Sequence, residues 1–178
     1  AMVSTSRKDT DKVFKTNLEG TRNIIGQAVE RELKQIVHVS SITAIYNPGV
    51  QSVNEQSPPG TATSAYGRSK VSSEKFVRQL QALGAPIVIT YPAGVIGPGD
   101  PALTEPLQGL VMFLRNLAVI TTTGIQMVDV RDVADLHARV FSSTPSNDRF
   151  MLGGHYYPWQ ELVDTLEELT GRKLRKLY

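Results

Sequence analysis

The sequence predicts an α/β fold that corresponds to the later part of a doubly wound parallel sheet. Predicted helices alternate with short strands, and the strands are apolar throughout, as in sheets that are covered on both faces. The chain opens on a helix, whereas a sheet of this kind normally opens on a strand. With 178 residues, 40% of them hydrophobic, the chain is long enough to form a core without disulfides or metals.

The first half of the chain contains two predicted helices and two predicted strands. Residues 11–33 carry apolar side chains at helical spacing with charges between them. The β-branched segment 36–40 indicates a buried strand, and two Pro-Gly pairs in residues 41–63 predict a long loop. A second helix over 66–83 and a second buried strand over 86–91 follow.

The second half begins with a glycine- and proline-rich loop over 92–106 and continues with shorter elements. Asp129 is the expected N-cap of the fourth helix, and Asp132 lies in its first turn. Pro158 stands at the start of the last helix and Gly171 just past its end. The predicted helices are 107–116, 131–141 and 158–170, and the predicted strands are 118–121, 126–130 and 150–152.

Composition and charge exclude several classes of protein. The 19 basic and 17 acidic residues are interspersed, so no basic surface for nucleic acid is expected. The chain has no cysteine, and its three histidines do not have zinc-ligand spacing, so we expect no metal site. No apolar signal sequence or membrane span is evident, and we therefore expect a soluble, cytoplasmic protein.

Tyr66 and Lys70 stand at positions i and i+4 of a predicted helix, so their side chains share one face, one turn apart. A nearby ammonium favours the phenolate form of a tyrosine, whose pKa starts near about 10. Such a tyrosine can exchange a proton with a substrate oxygen near neutral pH. By itself the pair is more often an ordinary solvent-exposed contact between helical turns.

Hydroxyl groups follow the first predicted strand, where parallel α/β sheets bind ligands. Ser40, Ser41 and Thr43 lie at or just after the carboxyl end of this strand, and ligand crevices lie outside that end. These hydroxyls are suited to hydrogen-bond a substrate oxygen. The alternative is that they satisfy backbone groups of the loop.

The loop after the second predicted strand offers backbone amides to a ligand, although glycine and proline also mark any tight turn. Gly94, Gly97 and Gly99 do not form a dinucleotide fingerprint. The order of their spacings is the reverse of that in the fingerprint Gly-x-Gly-x-x-Gly. In addition, Pro98 lacks an amide hydrogen, and no helix follows directly.

Five segments taken together resemble the extended short-chain dehydrogenase/reductase family, which includes epimerase/dehydratase, dihydroflavonol reductase and 3β-hydroxysteroid dehydrogenase members. Each segment is weak evidence alone, but the order and spacing of all five match the family across nearly the whole chain. The segments are TNLEGT (16–21), VHVSS (37–41), YGRSK (66–70), YPAGVIGPGD (91–100) and VDVRDVA (128–134).

The resemblance implies roles for particular residues. Tyr66 matches the catalytic acid/base, and Lys70 matches the lysine that lowers the tyrosine pKa and binds the nicotinamide ribose. Ser41 matches the serine that holds the substrate oxygen, with Thr43 beside it, and Asn17 matches the helix asparagine that supports a proton-relay water. The residues that match the backbone lining the nicotinamide pocket are Pro92, Ala93, Gly94 and Val95.

The chain departs from the family at its start. It has no unit of strand, glycine-rich loop and helix that could bind a pyrophosphate, and residues 1–4 match the segment that follows the family's fourth strand. We expect a fragment: a partial Rossmann-like domain with elements of a small C-terminal α/β substrate lobe at roughly 100–125 and 145–178. Without the amide cradle, this chain alone should bind NAD or NADP poorly. An uncovered strand edge predicts a homodimer or a strand-exchanged oligomer.

For the parent protein, the resemblance implies hydride transfer between NAD or NADP and a small-molecule carbonyl or secondary alcohol. The apolar helix 107–116 favours a hydrophobic substrate. An NAD-dependent nucleotide-sugar epimerase or dehydratase would use the same Ser–Tyr–Lys set. A non-catalytic, cofactor-sensing protein is the alternative from another class, and a hydrolase built on Ser72 and Lys75 lacks its companion motifs.

Overall fold

The computed structural model describes residue 2 and residues 7–101, 103–143 and 148–178. These residues form two compact units. The first unit comprises the described residues up to Pro92 and from Leu136 to Leu152, and the second comprises those from Ala93 to Asp135 and from Gly153 to Tyr178. The helices are α1 (Thr10–Glu30), α2 (Ala65–Ala82), α3 (Glu105–Arg115), α4 (Val130–Ser142) and α5 (Trp159–Thr170). The strands are β1 (Ile36–Val39), β2 (Ile87–Pro92), β3 (Gly94–Ile96), β4 (Ala118–Val119), β5 (Gly124–Asp129), β6 (Arg149–Leu152), β7 (His155–Pro158) and β8 (Lys176–Leu177).

The first unit contains a parallel sheet with the strand order β1-β2-β6. Ile36 lies opposite Ile87 across the first strand pair, and Pro92 lies opposite Leu152 across the second. Every residue of β2 is buried, as expected for a strand that is covered on both faces. The predicted parallel α/β sheet is therefore confirmed for this unit.

The core of the first unit lies where α1 and α2 meet the sheet. Ile25 of α1 and Val77 of α2 belong to one buried cluster with Ile36 of β1 and Ile89 of β2. The helical spacing of the apolar residues places these side chains on the inward faces of the two helices. This packing brings the start of α2 against the carboxyl end of β1.

The second unit differs from a purely parallel arrangement. Strand β5 pairs in parallel with β3 but antiparallel with β7, and β4 pairs in parallel with β8. Strand β3 lies inside the segment predicted as a loop, and β7 and β8 were not predicted. These three strands are two to four residues long, and their pairing partners, rather than local sequence, define them.

Other predicted boundaries need small corrections. Helix α1 ends at Glu30 rather than at residue 33, and Glu32 takes a positive φ of 54° just beyond it. The predicted loop 41–63 includes a short 3-10 helix over Ile42–Ala44. Pro158 is the N-cap of α5, and Gly171 ends that helix in the left-handed conformation, as predicted. Of the segment 1–4, only Met2 lies among the described residues.

No helix in the described ranges is long and apolar enough to cross a membrane. Within the same ranges, no group of three or more acidic or histidine side chains is arranged to hold a metal ion.

Candidate active site

Helix α2 carries two of the predicted catalytic residues on its first two turns. Ser64 is its N-cap, and the Ser64 Oγ accepts a hydrogen bond of 3.1 Å from the Gly67 amide. Tyr66 follows on the first turn and Lys70 one turn later, so the predicted shared helix and spacing are confirmed.

Lys70 is a buried cation at the carboxyl end of β1. Only 6% of the residue is exposed, and its Nζ donates a hydrogen bond of 3.2 Å to the carbonyl oxygen of Val39. Burial lowers the pKa of Lys70 to about 8, and the negative charge of Glu74 opposes this shift. The ammonium is thus held at the strand end rather than at the surface.

Ser41 and Thr43 occupy the turn that follows β1. The Ser41 Oγ accepts a hydrogen bond of 3.2 Å from the Thr43 amide and caps the short 3-10 helix. The loop-capping alternative from the sequence is therefore observed for Ser41. It does not exclude a substrate contact, because a hydroxyl that accepts one bond can still donate its own proton.

Two contacts bring this turn to the start of α2. The carbonyl bound by Lys70 belongs to Val39, two residues before Ser41. A Cβ built on Gly67, the neighbour of Tyr66, would lie 3.4 Å from the Thr43 methyl carbon. Thr43 thus lies close to the start of α2, and the Lys70 ammonium lies at the strand end two residues before Ser41.

Asn17 approaches the same helix from α1. Its Nδ2 donates to the Ser69 Oγ at 3.0 Å, and the Ser69 hydroxyl donates to the Tyr66 carbonyl oxygen at 2.6 Å. The Asn17 amide also bonds to the backbone of Met2, at 2.6 Å through Oδ1 and at 2.9 Å through Nδ2. Asn17 is therefore joined to the backbone of α2 beneath Tyr66, and its role towards a relay water stays a prediction.

The residues predicted to line the nicotinamide pocket are divided between the two units. Pro92 ends β2 in the first unit. Ala93, Gly94 and Val95 belong to the second unit, where Gly94 lies opposite Met127 in the β3–β5 pair. A Cβ on Gly94 would lie 3.2 Å from the carbonyl oxygen of Gln126, which makes glycine suited to this close strand contact.

Sequence reasoning missed a buried carboxylate behind this corner. The Glu74 side chain is fully buried and accepts hydrogen bonds from Ser40, Arg78 and Tyr91. In the sequence, Glu74 and Arg78 form an i,i+4 pair of the kind that is common on exposed helix faces. The one available signal was the position of Glu74, a turn beyond Lys70.

His38 is a second residue that the sequence did not assign. It is buried in β1, and its Nε2 has no hydrogen-bond partner among the described residues. Burial first, and then the charge of Lys70, lower the pKa of His38 to about 4. His38 lines a cleft of about 540 Å3 in the first unit together with Asn17, Lys70 and Ser73.

Comparison with known proteins identifies the family. The model of the NAD dependent epimerase/dehydratase family matches residues 1–153, and the chain belongs to this family. The extended short-chain dehydrogenase/reductase resemblance is thereby confirmed. The phenol, buried ammonium and strand-end hydroxyl lie in the part of the chain that this model matches.

Similar proteins are longer than this chain. The chain is 32% identical to the "Putative dihydroflavonol 4-reductase" of Synechocystis sp. over 179 residues, which cover 96% of this chain and 52% of that protein. It is 26% identical to sterol demethylase protein B of Methylococcus capsulatus, covering 99% of this chain and 55% of the relative. The chain therefore spans about half the length of these curated relatives.

Solved structures show the same fold. The dTDP-glucose 4,6-dehydratase DesIV of Streptomyces venezuelae, solved with NAD and TYD bound, gives a TM-score of 0.77 at 23% identity. The alignment covers 99% of this chain and 58% of DesIV. At this identity the likeness concerns the fold alone, and it confirms that the chain folds as part of a Rossmann-type α/β domain.

Proposed function

We propose that the protein carrying this chain transfers a hydride between NAD or NADP and a carbonyl or secondary alcohol, with Ser41, Tyr66 and Lys70 as its catalytic residues. The observation that carries this proposal is the buried Lys70 ammonium, which binds the carboxyl end of β1 next to Ser41 and lies one helical turn from Tyr66. Family membership supports the reaction class.

The residues present suit one end of the cofactor. A buried ammonium and a phenol at a strand end can hydrogen-bond a ribose, and Pro92 closes the neighbouring strand. No strand–glycine loop–helix unit for a pyrophosphate occurs in the 178 residues. We therefore propose that the chain by itself binds the dinucleotide weakly.

Each side chain has a distinct task in the reducing direction. A nicotinamide cofactor held here would supply the hydride that the carbonyl carbon accepts. Tyr66 donates its phenolic proton to the substrate oxygen, and the Ser41 hydroxyl hydrogen-bonds this oxygen as negative charge develops. The Lys70 ammonium stabilises the phenolate that remains on Tyr66. In the oxidising direction the same groups act in reverse.

An apolar carbonyl compound is the substrate class that the second unit favours. Helix α3 carries three leucines, one valine and one methionine, and its Phe113 ring contacts Trp159 edge-to-face with centroids 5.6 Å apart. Such a surface suits a hydrophobic ring better than a sugar diphosphate, which requires cationic and polar partners. The dihydroflavonol reductase and sterol demethylase names of the two curated relatives agree with this choice.

The decisive experiment is Tyr66→Phe in the longest natural protein that contains this chain. NAD(P)H consumption is measured with hydrophobic ketones and with nucleotide sugars. We expect turnover of a ketone, and a loss of about a hundredfold to ten-thousandfold in the variant, since positioned acid–base catalysis contributes this much.

Tyr178→Phe serves as the matched control, because Tyr178 is 81% exposed and lies outside the site. Near-normal turnover in Tyr66→Phe would overturn the assignment. Turnover of nucleotide sugars alone would replace the reductase by an epimerase or dehydratase. Retained cofactor binding without any turnover would indicate a cofactor-sensing protein instead.

A further inference from the structure

Glu74 joins three elements through one buried carboxylate. The Ser40 Oγ of the β1 end donates to Oε2 at 2.7 Å. The Tyr91 hydroxyl of β2 and the Arg78 Nε of α2 each donate to Oε1 at 2.6 Å. We call these four residues the Glu74 network. Three hydrogen bonds to a charged acceptor are the strong kind, and here they compensate the burial of the charge.

The network also holds the long loop. The Arg78 Nη2 donates to the Ser57 carbonyl oxygen at 2.9 Å and to the Tyr91 hydroxyl at 3.0 Å. Burial raises the pKa of Tyr91, and the Glu74 charge raises it further, so this phenol stays a neutral donor. The network is therefore complete without any ligand.

Two members of the network, Ser40 and Tyr91, stand next to residues assigned to the proposed site. Ser40 precedes Ser41, and Tyr91 precedes Pro92. Glu74 lies one helical turn after Lys70 on α2. A rigid link of this kind sets the spacing between the hydroxyl on the strand end and the phenol and ammonium on the helix.

We propose that Glu74 is a positioning residue for the hydride-transfer site: its carboxylate fixes the carboxyl ends of β1 and β2 to α2 and so holds Ser41 in register with Tyr66 and Lys70. The proposal rests on the proposed function. Small displacements of reacting groups have large effects on rate, so this register is reflected in kcat more than in KM.

Glu74 also acts on the charge of Lys70. The titratable side chains around Lys70 in the described residues are His38 on β1 and, on α2, Tyr66 and Glu74, whereas α1 contributes the neutral Thr16 and Asn17. Glu74 favours the ammonium form of Lys70, against the effect of burial. Removing its charge makes Lys70 lose its proton at a lower pH, and the alkaline fall of activity moves to lower pH.

The test compares Glu74→Gln and Ser40→Ala with Val77→Ala in the longest natural protein that contains this chain. Val77 is a fully buried core residue on the same helix and is not part of the network, so its truncation reports general loss of stability. The measurements are kcat and KM with a ketone substrate, the pH profile of kcat, and hydrogen–deuterium exchange over residues 41–46.

We expect Glu74→Gln to lower kcat by about tenfold to a hundredfold with little change in KM. The alkaline limb of the pH profile of kcat should shift to lower pH in this variant, and hydrogen–deuterium exchange over residues 41–46 should rise. Ser40→Ala removes one link without changing the charge, so it should lower kcat and raise exchange but keep the alkaline limb. Val77→Ala should lower the unfolding midpoint and leave the pH profile and the exchange at 41–46 unchanged.

Hydrogen–deuterium exchange over residues 41–46 does not depend on turnover. It therefore tests the positioning role of Glu74 separately from the proposed hydride-transfer function. If the wild-type protein turns over a ketone but both network variants keep its kcat, pH profile and exchange, the positioning role is wrong. If the wild-type protein shows no turnover, the proposed function fails. In that case unchanged exchange in Glu74→Gln and Ser40→Ala overturns the structural link, and raised exchange supports it. Should Glu74→Gln not fold, Ser40→Ala decides.

Discussion

Gly67 shows how one residue without a side chain lets the preceding loop approach the start of α2. It lies in the first turn of α2, next to Tyr66, and a Cβ there would lie 2.5 Å from the Ala62 Cβ and 3.0 Å from the Ser64 Oγ. Ordinarily, alanine stabilises a helix interior relative to glycine by about 1 kcal/mol. At this position the steric overlap outweighs the gain in helix propensity.

We expect Gly67→Ala to lower the free energy of unfolding by about 1–3 kcal/mol, the usual effect of overpacking. Chemical denaturation measures this change. The control is Gly26→Ala on α1, where a Cβ would meet nothing within 4 Å and the substitution should stabilise by about 0.5–1 kcal/mol. Equal stabilisation by both substitutions would show that the loop and helix start do not touch as described.

Lys70 and His38 illustrate how much a residue depends on its surroundings. Both side chains are ordinary bases in the sequence, yet both are buried at β1 and their pKa values fall. Burial disfavours the charged form of a base, and only the fold determines which bases are buried.

At the scale of elements, helix α2, which carries Tyr66 and Lys70, begins directly after its N-cap Ser64. The Ser64 Oγ accepts from the Gly67 amide at 3.1 Å and so satisfies one of the free amides of the first turn. The bond joins Ser64 to Gly67 and so holds the turn that contains Tyr66.

We expect Ser64→Ala to destabilise the chain by about 1 kcal/mol, the typical loss for an N-cap hydroxyl. Ser64→Asp, which keeps a capping oxygen, should retain most of the stability. Thermal unfolding followed by circular dichroism measures both variants. A Ser64→Ala protein as stable as wild type would mean that the helix start is held by its packing alone.

A second cap agrees with its sequence signal. The Arg131 amide donates to the Asp129 Oδ1 at 2.8 Å, directly before α4 begins at Val130, so the predicted N-cap is confirmed. The Arg131 side chain lowers the pKa of Asp129 to about 2. Capping is a local interaction within three residues, and for this reason sequence patterns predict it well.

At the scale of the whole chain, the first unit leaves a strand edge without a partner among the described residues. Within the described ranges β1 pairs only with β2, and Val39 at its end is 46% exposed. Apart from the Val39 carbonyl, which Lys70 binds, the backbone groups of such an edge can pair with another chain.

We expect the 178-residue chain to form dimers or larger assemblies, measured by light scattering coupled to size-exclusion chromatography. Val39→Lys adds a charge to the exposed edge and should shift the chain towards the monomer. Leu169→Lys on α5, where the wild-type leucine is 77% exposed, is the matched control and should not affect the mass. A monomer at all concentrations of the wild-type chain would contradict this expectation.

The sequence by itself determined the features that depend on neighbours along the chain. Helical spacing placed Tyr66 and Lys70 on one face, and the β-branched run before Ser41 marked the strand whose end it follows. The family resemblance also came from the order of short segments, and the family comparison confirmed it. These signals are local or sequential, so no tertiary contact is needed to read them.

Only the tertiary structure decided which polar groups are buried and what they bind. Glu74 resembles a surface residue until Ser40 and Tyr91 approach it from two strands. Strands β3 and β7 exist because β5 pairs with both. In each case the partners lie far apart in the sequence, and their hydrogen bonds compensate a cost of burial that arises only when the chain has folded.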